Sequence, residues 1–419
     1  MSAIGIFVIL GIAWLLSSNR RHVAWRVVAW GLGLQITFAL LILKTPIGRI
    51  VFDELKKVIT KILGFTDEGA HFIFGKLYET IPLANTRGAL AMRNSETGDF
   101  VELGVIFAIH VIPTIIFFSS LMAVLYHLGV MQRLVKGVAW LMTRTMRTSG
   151  SESLSAAANI FVGQTEAPLV VRPYIGSMTR SEIMAIMCGG FATVAGGVLA
   201  AYVRFGVDPG HLMAASAMSA PAALMIAKIL YPETEESPTR GRVTMSVEKD
   251  SANLIDAAAS GAASGLKLAL NVLAMILAFI ALLAMINWML GLVGGLFNTP
   301  LSIDRIFGYV FAPLAFFMGV DPQDILPFGN LLGTKIAVNE FVAYIQLADL
   351  RGVISERSYT IATYALCGFA NFGSIAIQIG GISGIAPERR ADLAALGLKA
   401  MFGGALASFL TATIAGLLL

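Results

Sequence analysis

Hydrophobic residues in this chain gather into long uninterrupted runs, and the polar residues between them come in short charged clusters. The runs lie at about 3–17, 27–43, 103–128, 180–203, 209–230, 265–297, 357–380 and 392–418. About 20 apolar residues in helical form cross a hydrocarbon core of about 30 Å, so the pattern predicts eight transmembrane helices, the first short and beginning before the membrane. Two other segments are amphipathic. Arg133, Lys136, Arg144 and Arg147 fall within roughly 80° of one another on a helical wheel, opposite Leu134, Val135, Val138, Leu141 and Met142, which predicts a helix lying on the membrane surface. Val51 to Leu63 shows the same division and reads as either an interfacial or an ordinary packing helix.

Two apolar stretches are broken by polar residues in the middle. Between Glu152 and Arg172 stands Gly163-Gln-Thr-Glu-Ala-Pro168. Arms of about ten residues, at about 1.5 Å per residue, reach only halfway across the bilayer, so a re-entrant hairpin with a polar tip at the midplane is predicted. Irregular backbone at that depth is tolerated only inside protein or against a cavity, and a carboxylate there costs roughly 2.5–3.5 kcal/mol on insertion scales. Glu166 should therefore have a use. Phe328-Gly-Asn-Leu-Leu-Gly-Thr-Lys-Ile-Ala-Val-Asn-Glu-Phe-Val-Ala-Tyr-Ile345 repeats the device.

Each hairpin is followed by a similar span, one containing Cys188-Gly-Gly-Phe-Ala-Thr193 and the other Cys367-Gly-Phe-Ala-Asn371. Glu340 follows Glu166 by 174 residues and Asn371 follows Thr193 by 178. A duplicated unit explains the near-constant offset. With the single span 265–297 between the copies, the two hairpins enter from opposite sides, and a binding site is expected where their tips meet the broken spans.

Composition agrees with a membrane protein: 57% of residues are hydrophobic and 13% charged, against about a quarter charged in soluble domains. The formal net charge of +4 comes from clusters between apolar runs rather than from a basic domain, so nucleic acid is not an expected partner. The clusters set topology instead. With Arg20, Arg21 and Arg26 cytoplasmic, the clusters at 133–147, 172–180, 232–250 and 389–390 fall on the same side, and both termini are predicted outside, periplasmic or extracellular. Cys188 and Cys367 lie in apolar stretches, and no disulfide framework is implied. The expected organisation is scaffold spans with an external interfacial region over 1–130, a surface helix and first repeat over 131–231, a cytoplasmic linker over 232–264, a scaffold span over 265–297, and the second repeat over 298–419. The stretch 80–99 reads as an external loop of unassigned purpose.

The residues expected at the midplane are Gln164, Thr165, Glu166, Glu340, Asn371 and Ser374, with Phe369 and Val198 as apolar surfaces. They suit a neutral polyhydroxylated ligand with a flat ring: carboxylates accept hydroxyl protons, amides serve base edges, and a phenyl ring stacks. A phosphate would want arginine. Lys335 reads as a snorkelling or paired residue. Asn159 and Thr193, with backbone carbonyls of Val162 and Val194, suggest a site for a monovalent cation, since they are hard oxygen donors without a carboxylate.

In Asn159-Ile-Phe-Val-Gly-Gln-Thr-Glu-Ala-Pro168, Asn339-Glu-Phe-Val-Ala343 and Cys367-Gly-Phe-Ala-Asn371 the chain resembles the concentrative nucleoside transporters, most closely their bacterial sodium-coupled members, over nearly its whole length. The resemblance implies an all-α membrane protein with eight spans, two re-entrant hairpins, broken helices and inverted repeats. It also implies a homotrimer in a lipid bilayer, with a transport domain that moves against a scaffold. It assigns Gln164, Thr165 and Glu166 to the nucleobase, Glu340, Asn371 and Ser374 to the ribose, Phe369 and Val198 to the pocket wall, and Asn159, Val162, Thr193 and Val194 to sodium. Thr193 stands where close relatives are expected to have serine, and Val194 where they have isoleucine; the hydroxyl is kept. No other cofactor is implied. A bacterial inner membrane follows from the resemblance, the lack of a long N-terminal extension and a C-terminus on the last span.

Proton coupling through Glu166 or Glu340 is the alternative within this reading. An intramembrane enzyme is disfavoured, because the five histidines form no His-Glu-x-x-His site and His110, ahead of Pro113, reads as a packed, hydrogen-bonded residue. A channel fits two inverted hairpins with different polar tips less well than alternating access does.

Overall fold

The computed structural model describes residues 1–78, 90–93, 100–104, 106–240, 251–296 and 301–419. Helices α1 (Ser2–Leu15), α2 (Trp25–Lys44) and α3 (Pro46–Phe74) precede an antiparallel pair, β1 (Leu90–Arg93) and β2 (Phe100–Gly104), in which Ala91 faces Glu102. A single turn, α4 (Phe107–His110), leads into α5 (Ile112–His127) and the amphipathic α6 (Val130–Met146). Most of the segment 80–99 lies outside the described residues. The apolar pattern predicts that the third run turns helical at 103, but Val101 to Gly104 is strand; hydropathy alone does not separate a short apolar strand from a helix start.

The first repeat consists of α7 (Gly150–Ala158), a 3₁₀ turn (Ala167–Val171), the single turn α8 (Arg172–Ile175), α9 (Arg180–Ala192), α10 (Gly196–Arg204) and α11 (Pro209–Leu230). Then comes α12 (Leu254–Leu296). The second repeat follows as α13 (Ile303–Met318), α14 (Ile325–Ala337), α15 (Glu340–Asp349), α16 (Glu356–Leu366), α17 (Phe372–Ile385) and α18 (Arg390–Leu418). Side chains start these helices where the sequence supplies caps. Ser149 with Glu152 and Thr179 with Glu182 form capping boxes, Asp208 caps α11 ahead of Pro209, and Asn339 and Asn371 cap α15 and α17.

Six helices are long and apolar enough to cross a membrane unaided among the described residues, including α2, α11 and α12 and the broken pair Arg180–Arg204. The other two predicted spans are made from shorter pieces: α1, and α16 with α17 separated by a non-helical stretch from Cys367 to Asn371. Helix α12 begins at Leu254, well before the apolar run predicted from 265. Its first turns are the Ala/Gly/Ser-rich Asp256–Ser264 segment, which has high helical content but little hydropathy, and Asn253 caps the Asp256 amide. Helix α13 is not among the predicted elements. It packs on α14 through glycines: a Cβ at Gly329 would lie 2.5 Å from the Gly308 carbonyl oxygen. It stands before the second hairpin as α6 stands before the first, so the duplicated unit is one helix longer than the hairpins suggest.

The hairpins enter from opposite faces. The ends of the first lie with the segment after α11, where the Gly150 amide donates to the Thr239 carbonyl at 3.1 Å, and with the N-termini of α9 and α18, joined by Arg180 and Asp392 at 2.6 Å. The ends of the second lie at the other face: the Ser355 amide donates to Asp324 at 3.0 Å, and Arg351 to the Gly206 carbonyl at 2.8 Å. Both termini also sit at this second face, Ser2 bonding to the Met318 carbonyl at 3.1 Å and Arg357 reaching the Gly416 carbonyl. Arg20 and Arg21 belong to the first face, because Ser18 donates to the Leu230 carbonyl at 2.9 Å.

Candidate functional site

The two broken helices cross at their breaks. Gly368 adopts φ +121°, open to glycine alone at little cost, and a Cβ there would fall 2.6 Å from the Phe191 carbonyl oxygen. Both breaks leave backbone groups without helical partners at the centre of the protein, and the hairpin tips close over them. The Gly196 amide, opening α10, donates to the Phe161 carbonyl of the first tip at 3.2 Å.

Four of the predicted binding residues form one buried set. Asn371 Nδ2 donates to Glu340 Oε2 at 3.0 Å, while Asn371 Oδ1 accepts from the Ser374 amide at 2.9 Å. Gln164 Nε2 reaches Ser374 Oγ at 3.3 Å, which ties the first hairpin to α17. Glu340, Asn371, Ser374 and Gln164 are all buried. Two residues outside the predicted site complete the set. Tyr202 donates its hydroxyl to Glu340 Oε1 at 3.1 Å, and Gln378 donates to both Gln164 Oε1 and the Met187 carbonyl at 3.1 Å. Gly190 makes room for the paired amides, since a Cβ there would lie 2.7 Å from Gln378 Nε2 and 2.9 Å from Gln164 Cβ. The sequence signal for Gln378 is its spacing, as Asn371, Ser374 and Gln378 lie on one helical face at i, i+3 and i+7. Tyr202 likewise lies four residues beyond Val198 on α10.

The remaining predicted residues sit around this set. Val198 is buried, Phe369 is partly buried against the core, and Thr165 packs on Gly381 of α17. Glu166 stands apart. Its carboxylate folds back over Gly163, where a Cβ would meet Oε2 at 2.3 Å, and it faces a cavity of about 720 Å³. That cavity is bounded by the first hairpin, α5 and the start of α12, with Val162, Glu166, Tyr126, His127, Gln132 and Ser264 among its walls. It reaches the face that carries the first hairpin's ends. Glu340, Asn371 and Ser374 are not in its walls, so the polar set is closed off while one side of the tip is open.

The suggested cation site has a distinct signature. Asn159 is fully buried, yet neither its Oδ1 nor its Nδ2 has a hydrogen-bond partner among the described residues. Its amide lies against the last turn of α9: a Cβ at Gly189 would be 3.0 Å from Nδ2. Thr193 donates its hydroxyl to the Gly189 carbonyl at 2.9 Å, which leaves the oxygen's lone pairs for another partner. A buried amide costs about 1–3 kcal/mol when unsatisfied, and a monovalent cation fits the donors present. Lys335, by contrast, does not snorkel. It is fully buried and donates to the carbonyls of Ala365 at 2.7 Å and Cys367 at 3.3 Å, with its ammonium 5.5 Å from the Phe409 ring centroid. His110 is packed as expected, with Nδ1 3.0 Å from the Ile106 carbonyl oxygen. No group of three His, Cys, Asp or Glu residues suited to a metal occurs among the described residues.

Family models cover the chain almost end to end: "Na+ dependent nucleoside transporter N-terminus" over residues 4–77, "Nucleoside recognition" over 108–208, and "Na+ dependent nucleoside transporter C-terminus" over 211–416. The chain is also 45% identical to an uncharacterized transporter of Haemophilus influenzae over 99% of its length and 97% of that protein's. The chain belongs to the concentrative, Na+ dependent nucleoside transporter family. Its members are multi-pass membrane proteins and transporters, not enzymes. The chain is 45% identical to mouse solute carrier family 28 member 3, covering 99% of this chain and spanning 58% of the mouse protein's length. Among solved structures, CNTnw in an inward-facing substrate-bound state shares 44% identity with a TM-score of 0.89, covering 100% of this chain and 97% of that one. An outward-facing CNTnw variant matches equally well, at 44% identity and a TM-score of 0.89.

Proposed function

We propose that the protein is a sodium-coupled symporter that imports nucleosides by alternating access. The observation that carries this reading is the buried polar set linking both hairpin tips, closed toward one face and flanked by an open cavity toward the other. Glu340, held by Asn371 and Tyr202, takes the ribose hydroxyls, with Asn371 and Ser374 beside it. Gln164 and Thr165 take the nucleobase, with Glu166 reaching it from the cavity side of the tip, and Phe369 and Val198 form the apolar walls. Movement of the hairpins and broken helices against α5 and α12 exposes the set first to one face and then to the other.

Sodium is held by Asn159 Oδ1, the Thr193 hydroxyl and the carbonyls of Val162 and Val194. The unpartnered Asn159 amide supports this assignment. One sodium running down a tenfold gradient contributes about 1.4 kcal/mol, and 100 mV adds about 2.3 kcal/mol, enough for roughly 500-fold accumulation of a neutral solute. The basic face is cytoplasmic by the positive-inside rule, which places the open cavity inside and both termini outside a bacterial inner membrane. Helix α12, most of whose apolar residues are exposed, Leu277, Trp288 and Leu292 among them, is available to contact other copies in a homotrimer.

The test is uptake of radiolabelled uridine into proteoliposomes under an inward sodium gradient or an inward proton gradient. Concentrative uptake with sodium alone is expected. Proton-driven uptake would keep the nucleoside site and remove the sodium assignment, and no uptake across a nucleoside panel would overturn the function.

A further inference from the structure

The two repeats solve the same electrostatic problem with different chemistry. Each hairpin carries one carboxylate at its tip, Glu166 in the first and Glu340 in the second. Each also sends one side chain from its first arm onto the break of the following helix. In the first repeat that side chain is Asn159, lying against the last turn of α9 with both amide atoms unpartnered among the described residues. In the second it is Lys335, lying on the last turn of α16 and donating to the carbonyls of Ala365 and Cys367. Lys335 follows Asn159 by 176 residues, between the 174 that separate the tip glutamates and the 178 that separate Thr193 from Asn371. The two side chains take comparable places, each reaching the break of the following helix, although Asn159 stands seven residues before its tip glutamate, just past the end of α7, and Lys335 five, inside α14.

The C-terminal end of a helix segment collects carbonyl oxygens and the negative end of the helix dipole, and therefore favours a cation. At α16 an ammonium meets that demand; Ser408 Oγ adds a 2.6 Å bond to the same Cys367 carbonyl. At α9 no basic side chain among the described residues is in place, and the neutral amide of Asn159 lies against the last turn instead. We propose that Lys335 is a tethered cation that fills the second repeat's counterpart of the sodium site, so that each protomer carries one mobile cation, and that removing the ammonium opens a second monovalent-cation site there. This inference rests on the sodium reading of Asn159 and Thr193.

The decisive experiment is equilibrium binding of ²²Na⁺ to the purified full-length protein. It compares the wild type with Lys335→Asn, which installs the first repeat's amide, Lys335→Arg, Asn159→Ala, and Asn159→Ala combined with Lys335→Asn. A single site is expected for the wild type and for Lys335→Arg. Lys335→Asn should bind two sodium ions per protomer, with a Hill coefficient in sodium-driven uridine uptake rising from about 1 toward about 2. The double variant should bind one. A folded Lys335→Asn protein that still binds one sodium overturns the proposal, as do two sodium ions on the wild type whether or not any variant folds. If Lys335→Asn is recovered as a monodisperse protein in sodium but not in choline, and the Asn159→Ala, Lys335→Asn double variant keeps that dependence, the dependence is the second site; its loss in the double variant, or failure of Lys335→Asn in both salts, counts against it. Unchanged sodium binding in Asn159→Ala would instead remove the sodium reading itself, independently of what Lys335 does.

Discussion

Gln378 joins the two repeats: from α17 of the second it bonds to Gln164 of the first hairpin and to the Met187 carbonyl of α9. Replacing it with leucine leaves that carbonyl and the Gln164 oxygen without their donor, a cost of about 1–3 kcal/mol. Gln378→Leu is therefore expected to lower uridine affinity about tenfold or more, read by uptake KM, and Gln378→Glu should do no better, because an ionised carboxylate has no N–H to give to either oxygen. Glu340→Gln loses charge-assisted bonds worth about 1.5–3 kcal/mol, so uridine KM should rise roughly 10- to 150-fold. The penalty should largely vanish for a nucleoside lacking the ribose 2′ and 3′ hydroxyls; an equal penalty for both ligands would place Glu340 elsewhere in the cycle. The polar tips are readable from the chain because a carboxylate in the middle of an apolar stretch is too costly to stand there without a partner or a ligand. Gln378 and Tyr202 are not, because a glutamine or tyrosine inside an apolar helix is unremarkable until the partner from another repeat is known. Glu166, expected with the others, faces the cavity instead, since the turn at Gly163 folds its side chain back.

Elements are held to one another by a few buried polar joints. Lys228 near the end of α11 pairs with Glu152 of α7 at 2.8 Å and Glu233 at 3.1 Å, and bonds to Ser181 of α9 at 2.9 Å. Glu182 accepts from Ser237 at 2.6 Å in the segment that follows α11, so that segment is clamped to the first repeat. Removing one partner of such a buried pair typically costs 3–5 kcal/mol. Lys228→Met should lower stability by that order, read as a fall in the thermal midpoint in detergent, and Glu152→Gln in the same chain should recover part of it. Gly368→Ala forces a Cβ against the Phe191 carbonyl at a left-handed backbone position; a loss of about 1–3 kcal/mol and of uptake is expected even though no binding residue changes. The broken spans and hairpins are legible through their interrupted apolar pattern. Helix α13 is not, because its 16 residues include Pro313 and fall short of a span, and its place is fixed by glycine contacts with α14 that hydropathy does not see.

At the scale of the whole molecule, the cavity opens on one face only. Cys188 and Cys367 are both buried, so a cysteine introduced at Ser264 in the cavity wall can be labelled over a low background. A membrane-impermeant thiol reagent should modify it from the face of the first hairpin's ends, and slowly from the opposite face; labelling at equal rates from both would contradict a one-sided cavity. Duplication with inversion follows from the order and spacing of motifs, because repeats separated by one crossing must be inverted. Which residues of α5 and α12 line the cavity does not follow, since their small Ser and Gly side chains leave no hydropathy signal.

Helix α12 runs for 43 residues, roughly 65 Å at 1.5 Å per residue. Its apolar part from Leu268 to Leu296 is about 44 Å long, against a hydrocarbon core of about 30 Å. Upright, it would extend about 14 Å beyond that core, a mismatch that tilting, bending or local thickening of the bilayer takes up. A helix longer than the core it crosses couples membrane thickness to the wall against which the moving repeats slide. Turnover should accordingly depend on lipid chain length, with an optimum that shifts when residues are deleted from the end of this helix.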